Sequence, residues 1–577
     1  MLSYNIKRSF CVFIPLLFLA VTLVRSQNTN GLQSKQSTSQ HRPSSYQDVK
    51  CDSIGISKKK LSSSKKMVSR KNVKVTLRDL PPADTGRIIA RIGDRTILVD
   101  EFIRRAEYTV RPSYCRGDGG FDKKIILNSL LAEKMLAFEA GKDNELMKSE
   151  SFQRMIQGLK EQLMRNVMYY AEGTSKVQLD TATIRREYKI AGRTYNIEFF
   201  TIPNDSAATV IKQILDTSAA SFPDIYHELT GRDTLPKRDI DWITKESKEV
   251  RRALFNGHPT VNQVIGPVQV NDESYLFMRV KGWTDHVAVT EKQISDRWND
   301  VKEELTYEQA DEHYDNYIMS LMRGKTMQFE PSTFRKFVEI VAPTYLESKK
   351  EKEETILDKM YKRQPRENPE FDDMEHNLNA LQSAPLFTID GKVWTVEDAA
   401  KEMERHPLVF RNKNLYKKNF AKQVKLALVD MVRDRYLTQE AYSRGFDRYP
   451  MVMHYTEMWQ DAILSFWQKD AFLKSRGVDD NGQIDIVTKY LNPFADSLRR
   501  KYSDCIEVNV NEFNNIQLTG VPMFVLEGDV PFPVFVPSFP QLTTYKWLDY
   551  GKKMEEKKRE TPALKNTSKN SRSRIKR

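Results

Sequence analysis

Apolar residues follow three patterns along this chain of 577 residues: one unbroken run near the start, long stretches with spacings of three and four, and short alternating segments. The unbroken run, Phe10 to Val24, follows Lys7 and Arg8 and is succeeded by Val24-Arg25-Ser26. That order of base, apolar core and small residues is the pattern of a secretory signal peptide. At about 15 residues the run is shorter than the roughly 20 that span a bilayer. Pro15 and Arg25 favour cleavage over an uncleaved anchoring helix, and Cys11 stands at the start of the run, so there is no lipobox. Spacings of three and four align Ile125, Ile126, Leu127, Leu130, Leu131, Met135, Leu136 and Phe138 on one helix. A second helix is predicted from Phe152 to Tyr170, carrying Met155, Ile156, Leu159, Leu163, Met164 and Val167. Such stripes are ordinarily helix–helix core. Here their flexible Met side chains also fit a surface that accepts varied partners.

Residues 87–102 predict a strand, a tight turn at Gly93-Asp94, a second strand and a helix capped by Asp100. This opening recurs 297 positions later, where Ile389-Asp-Gly-Lys-Val-Trp-Thr-Val-Glu-Asp-Ala399 repeats the pattern of Ile92 to Phe102. Leu136 to Ala140 is echoed by Leu437 to Ala441, with Gly445 ending the second helix a turn later. Ser320-Leu-Met-Arg323, leading to Met327-Gln-Phe-Glu330, is echoed by Ser497-Leu-Arg-Arg500, leading to Ile506-Glu-Val508. Two copies of one module are expected, each closing on its own opening hairpin. The first copy has an extra segment at 190–285, with alternating strands and a helix from Ala207 to Asp216, that the second lacks. Val521 to Pro540 interleaves prolines with aromatics and must be extended, as a closing strand or a groove-filling wrap.

The formal charge of +13 belongs to the ends: residues 1–80 carry +12 and 551–577 carry +8, leaving −7 over 81–550. A nucleic-acid binder is therefore not expected. The basic ends are solvated tails or peripheral contacts to anionic membrane. Residues 27–80, rich in Ser, Gln, Asn and Lys, cannot bury enough to order themselves. Past the signal only Cys51, Cys115 and Cys505 remain, which permits a Cys115–Cys505 disulfide without requiring one. His258-Pro259 and His406-Pro407 read as turns, and the scattered histidines form no metal motif. No Gly-x-x-x-x-Gly-Lys-[Ser/Thr] loop is present, so no nucleotide, metal or other cofactor is expected.

The opening Ile88 to Phe102, with Leu130 to Ala140 and Val177 to Tyr188, resembles the N-terminal region of the SurA and PrsA families of exported chaperones. In those families the inserted domain is a parvulin-type (PpiC) peptidyl-prolyl isomerase. Within 190–285, Tyr195 to Ile202 resembles its first strand, Asp239-Ile-Asp-Trp242 a turn, Ala253-Leu-Phe255 a helix, and Gly266-Pro-Val268 with Ser274 to Val280 the last hairpin. The resemblance implies an α+β, mostly helical fold: a SurA-like helical chaperone module, duplicated, with a parvulin-like α/β domain inserted in the first copy. Active parvulins carry a His in the first strand and another in the last, around an apolar proline pocket. Here those positions fall on Phe199 or Phe200 and on Leu276, the pocket aromatic falls near Val250, and Lys237-Arg238 replaces Gly-Gly. Isomerisation needs only a groove that favours the twisted amide against a barrier of about 18–20 kcal/mol. With the polar positions lost, no catalytic residue is assigned. A peptide groove of Phe199, Phe200, Trp242, Val250, Phe255 and Leu276 is expected, the alternative being that these are sheet core.

The expected plan is a signal peptide (1–26), a disordered basic linker (27–80), a first module (85–189 and 286–340) around the parvulin-like domain (190–285), a charged linker (341–383), a second module (384–520), a Pro/aromatic segment (521–550) and a basic tail (551–577). The expected function is an exported, periplasmic chaperone that holds unfolded or nascent exported polypeptides. An active peptidyl-prolyl isomerase and a dedicated subunit of a cell-envelope machine are the alternatives.

Overall fold

The computed structural model describes residues 86–346, 378–544 and 552–553, with short breaks at 218–219, 245, 272–273, 379, 413, 479–483, 521–522 and 524. The signal peptide, the basic linker 27–80, most of the charged linker and nearly all of the basic tail lie outside the described residues. Among the described residues no helix is long and apolar enough to cross a membrane.

The fold is α+β and mostly helical. β1 (Ile88–Ile92) and β2 (Arg95–Leu98) form the predicted hairpin, with Gly93 at φ 59° in the turn, where a residue bearing Cβ is disfavoured. α1 (Val99–Glu107) leaves β2 directly, so Leu98 and not Asp100 is its N-cap. Asp100 sits in the first turn instead, where its charge suits the positive helix end and reaches Arg104 at 3.1 Å. α2 (Gly120–Ala140) and α3 (Glu150–Glu172) contain the two predicted apolar stripes. α4 (Thr181–Ile190) leads into an α/β unit of β3 (Arg193–Ile202), α5 (Asp205–Thr217), α6 (Phe222–Thr230), β4 (Lys237–Ile240), α7 (Lys248–Arg251), β5 (Val264–Asn271) and β6 (Ser274–Asp285). α8 (Glu291–Met322), β7 (Met327–Phe329) and α9 (Pro331–Leu346) finish the first half.

The second half contains β8 (Pro385–Ile389), β9 (Lys392–Thr395), α10 (Val396–Arg405), α11 (Lys417–Ser443), α12 (Pro450–Ser475), α13 (Asn492–Lys501), β10 (Ile506–Val508) and α14 (Val510–Asn515). Its opening follows the first half element for element. Thr395, at the place of Leu98, caps its helix reciprocally with Asp398.

The closing strands do not return to their own hairpins. β10 pairs with β1 (Ile92 opposite Ile506, Ala90 opposite Val508), while β7 pairs with β8 (Met327 opposite Ile389, Phe329 opposite Phe387). Both pairings are antiparallel and keep the same register relative to the hairpin. Self-closure is thus corrected to reciprocal exchange. The cores follow the strands. One gathers β1, β2, α1 and α2 with Leu491, Leu498, Val508 and Phe513; another gathers β8, β9, α10 and α11 with Phe337 and Val341 of α9. Between them α2 lies against α12 and α3 against α11 and α12. Met155, Met164, Met168 and Met458 are buried in that packing, so the Met-rich faces are helix–helix core and not open surface. Each large apolar side chain so buried contributes about 1.5–3 kcal/mol.

Candidate functional site

Two places carry the residues of interest. In the α/β unit the strand order is β4-β3-β6-β5, all neighbours antiparallel. Alternation along β3 sends Tyr195, Ile197 and Phe199 to one face and Phe200 and Ile202 to the other. On the first face Trp242, Val250, Phe255 and Leu276 meet in one buried cluster, sealed by Ile184 and Ile190 of α4 and Val301 and Leu305 of α8. The rings of Trp242 and Phe255 stand nearly perpendicular, 5.2 Å apart. The Arg251 guanidinium lies 5.6 Å over Trp242 and pairs with Glu304 at 2.6 Å.

Half-buried Phe199 sits at the rim of that cluster, with the Arg238 guanidinium 4.7 Å over its ring and Glu246 holding Arg238 at 2.9 Å. Phe200 belongs to the other face, stacked on Phe277 at 5.4 Å and packed against Phe222 and Tyr226 of α6. Five of the six candidate groove residues are therefore buried, four of them together, and Phe200 is separated from the rest by the sheet. Neither Phe199 nor Leu276 offers a proton or a hydrogen bond to a substrate amide.

The second place is the cleft between α1, α2, α3 and α12, filled by residues 525–544. This strap has no regular structure beyond a single bridge between Leu526 and Val534. Phe532, Phe535 and Val536 are buried in the core of α3 and α12, and Phe539 and Leu542 in the core of β1, β2 and α2. The Phe535 ring meets Tyr108 edge-on at 5.5 Å. Helix side chains hold its backbone. Gln162 donates to the Phe532 carbonyl at 3.0 Å and accepts from the Phe532 N–H at 2.8 Å. Arg105 donates to the carbonyls of Pro537 (3.2 Å) and Ser538 (3.0 Å), the Ser129 hydroxyl accepts from Leu542 N–H at 3.0 Å, and Asn128 donates to the Thr544 carbonyl at 2.8 Å. Gly158 on α3 supplies the room: a Cβ there would fall 1.9 Å from the Arg405 carbonyl oxygen and 2.8 Å from the Phe532 ring.

Arg105 also anchors a buried ionic network. It pairs with Glu133 (2.7 Å) and Glu101 (3.4 Å); Lys134 reaches Asp461 at 3.2 Å and Glu101 at 3.6 Å; His454 stands 2.9 Å from Glu101 and Arg95 3.2 Å from Asp461. Burial alone would raise the Glu101 pKa, but Lys134, His454 and Arg105 hold it well below the usual carboxylate range. Burial likewise works against the charges of Arg105 and Lys134, and their carboxylate partners more than offset it. A second network seals the other junction. There Glu161 pairs with Arg405, and Asp434 takes Arg433 (2.7 Å) and His406 (2.9 Å). His406, expected in a plain turn, is the buried C-cap of α10. Cys115 and Cys505 are both free thiols, one buried and one exposed, and burial pushes the Cys115 thiol up to about 11.

The residues that grip the strap were not singled out by sequence. The available signal was polar residues interrupting apolar stripes: Asn128-Ser129 between Leu127 and Leu130, Arg105 beside Ala106, and Gln162 beside Leu163.

No family model matches this chain, and no curated protein matches it. Among solved structures, the foldase protein PrsA from Streptococcus pneumoniae str. Canada MDR_19A is similar at 11% identity and a TM-score of 0.19, covering 38% of this chain and 85% of that one. Similarity at that level transfers neither fold nor activity.

Proposed function

We propose that this protein is an exported, periplasmic chaperone that holds unfolded or nascent exported polypeptides, and that its α/β unit is a parvulin-like domain without efficient isomerase activity. In this reading the matching halves are a duplicated chaperone module, and the α/β unit is an insertion in the first. The observation that carries the holding function is the cleft of α1, α2, α3 and α12, where fixed helix side chains grip a non-helical segment by its backbone. Such contacts read any polypeptide regardless of sequence, as a holding chaperone requires. The absence of catalysis is supported by Phe199 and Leu276, apolar where an active parvulin carries histidines.

The test pairs two measurements on the mature protein. Light scattering of a chemically unfolded reporter chain is expected to show aggregation suppressed at near-stoichiometric protein. Isomerisation of a short proline peptide is expected at the uncatalysed rate. Turnover like that of an intact parvulin would overturn the inactive assignment, and unhindered aggregation would overturn the holding function.

A further inference from the structure

We infer that the cleft between α1, α2, α3 and α12 is a binding site for irregular, proline-containing polypeptide segments with large apolar side chains, and that residues 526–544 are its resident, displaceable occupant. The inference rests on the holding function proposed above and gives it a place. The strap contains Pro531, Pro533, Pro537 and Pro540, whose nitrogens carry no hydrogen, so no strand ladder can form along it. It is held by side chains from other elements acting on its main chain.

Those side chains are costly where they stand. Arg105, Asn128, Ser129 and Gln162 are buried polar groups, and each makes at least one hydrogen bond with the main chain of the strap. A buried polar group left without a partner is destabilising. The Gln162 amide donates to the carbonyl and accepts from the N–H of one strap residue, Phe532. The cleft is thus built for polypeptide backbone, flanked by apolar seats at the spacing of Phe532, Phe535, Phe539 and Leu542. An unfolded segment with the same spacing supplies the same groups.

A reversible lock tests this in the full mature chain. Asn492 donates to the Thr543 hydroxyl at 2.6 Å, so Asn492→Cys with Thr543→Cys, in a Cys51→Ser, Cys505→Ser background, places two thiols where oxidation fixes the far end of the strap. The near end is already held by Ile516 and Leu518 in the core. The probe is a fluorescein-labelled peptide of residues 526–544, followed by fluorescence anisotropy. The reduced protein is expected to bind it at least tenfold more tightly than the oxidised protein, and reduction of the lock is expected to restore binding. Phe539→Ala, which weakens the resident strap, is expected to tighten peptide binding about tenfold, because more of the cleft is then free.

Equal affinity in both redox states, or no binding by the reduced protein, overturns the inference. So does equal binding of a peptide in which the positions of Phe532, Phe535 and Phe539 are Ser. Light scattering separates the two proposals. Suppression that ignores the lock leaves the holding function on another surface and removes the cleft from it. Peptide exchange that obeys the lock without any suppression supports the cleft and removes the holding function.

Discussion

Glu101 has no exposed surface, while its neighbour Asp100 is largely in solvent. Its charge survives because Lys134, His454 and Arg105 surround it. Its pKa is lower folded than unfolded, so its contribution to stability is complete above the unfolded value and is lost as pH falls through the folded one. Lys134 is shifted upward, so its contribution is complete at neutral pH and is lost only in strong alkali. Glu101→Gln, which breaks a buried pair, is expected to cost about 3–5 kcal/mol at pH 7. The deficit should shrink by about 1.4 kcal/mol for each unit below ~4.3 as the wild type loses the advantage. Urea unfolding at pH 7, 4 and 3 measures this, and a deficit as large at pH 3 as at pH 7 would exclude an ionised Glu101. Neither the burial nor the network was legible in the sequence. Two adjacent acids look alike in a pattern of period 3.6, and the deciding partners His454 and Asp461 lie some 350 positions away.

Regular elements with internal periodicity were the most legible. The stripe from 152 to 170 became α3 and the hairpin of 87–102 was placed to within a residue, whereas the proline segment, non-helical as its prolines require, folds back on itself through the antiparallel bridge of Leu526 and Val534 instead of running extended. What the pattern left open was which neighbour each face meets. Phe199 and Phe200 are adjacent and equally apolar, and only the sheet's position between two helical layers assigns them to different cores. Gly158 was likewise mute: a glycine inside a helical stripe usually marks a weak point. Here α10 ends against it and the Phe532 ring rests beside it. On an exposed helix Gly→Ala would stabilise by up to about 1 kcal/mol. Gly158→Ala is expected to destabilise by about 1–3 kcal/mol, because a backbone oxygen cannot swing away as a side chain can. The sign of the shift in the urea midpoint decides, since a gain in stability would mean that α10 and the strap pack less closely than the structure shows.

Matching halves with exchanged closing strands make the chain resemble two subunits that share their cores in one polypeptide. The correspondence of elements was legible, but the exchange was not, because Met327 and Ile506 present the same pattern to either hairpin and take the same register on it. Nor does chain entropy choose. β7 and β10 both lie nearer β8 than β1 in sequence, so exchange favours one closure and disfavours the other by about 1 kcal/mol each. Exchange has a consequence that self-closure lacks. With a protease site inserted between residues 350 and 375, cleavage should leave both fragments in one species on size exclusion, still unfolding in a single transition. The first core needs Leu491, Leu498 and Val508 from one fragment, and the other needs Phe337 and Val341 from its mate. Residues 378–577 expressed alone should then fail to fold, lacking β7 on one edge of β8 and the α9 side chains beneath it. Two fragments that part after cleavage and each keep a cooperative transition would show that the halves close on themselves.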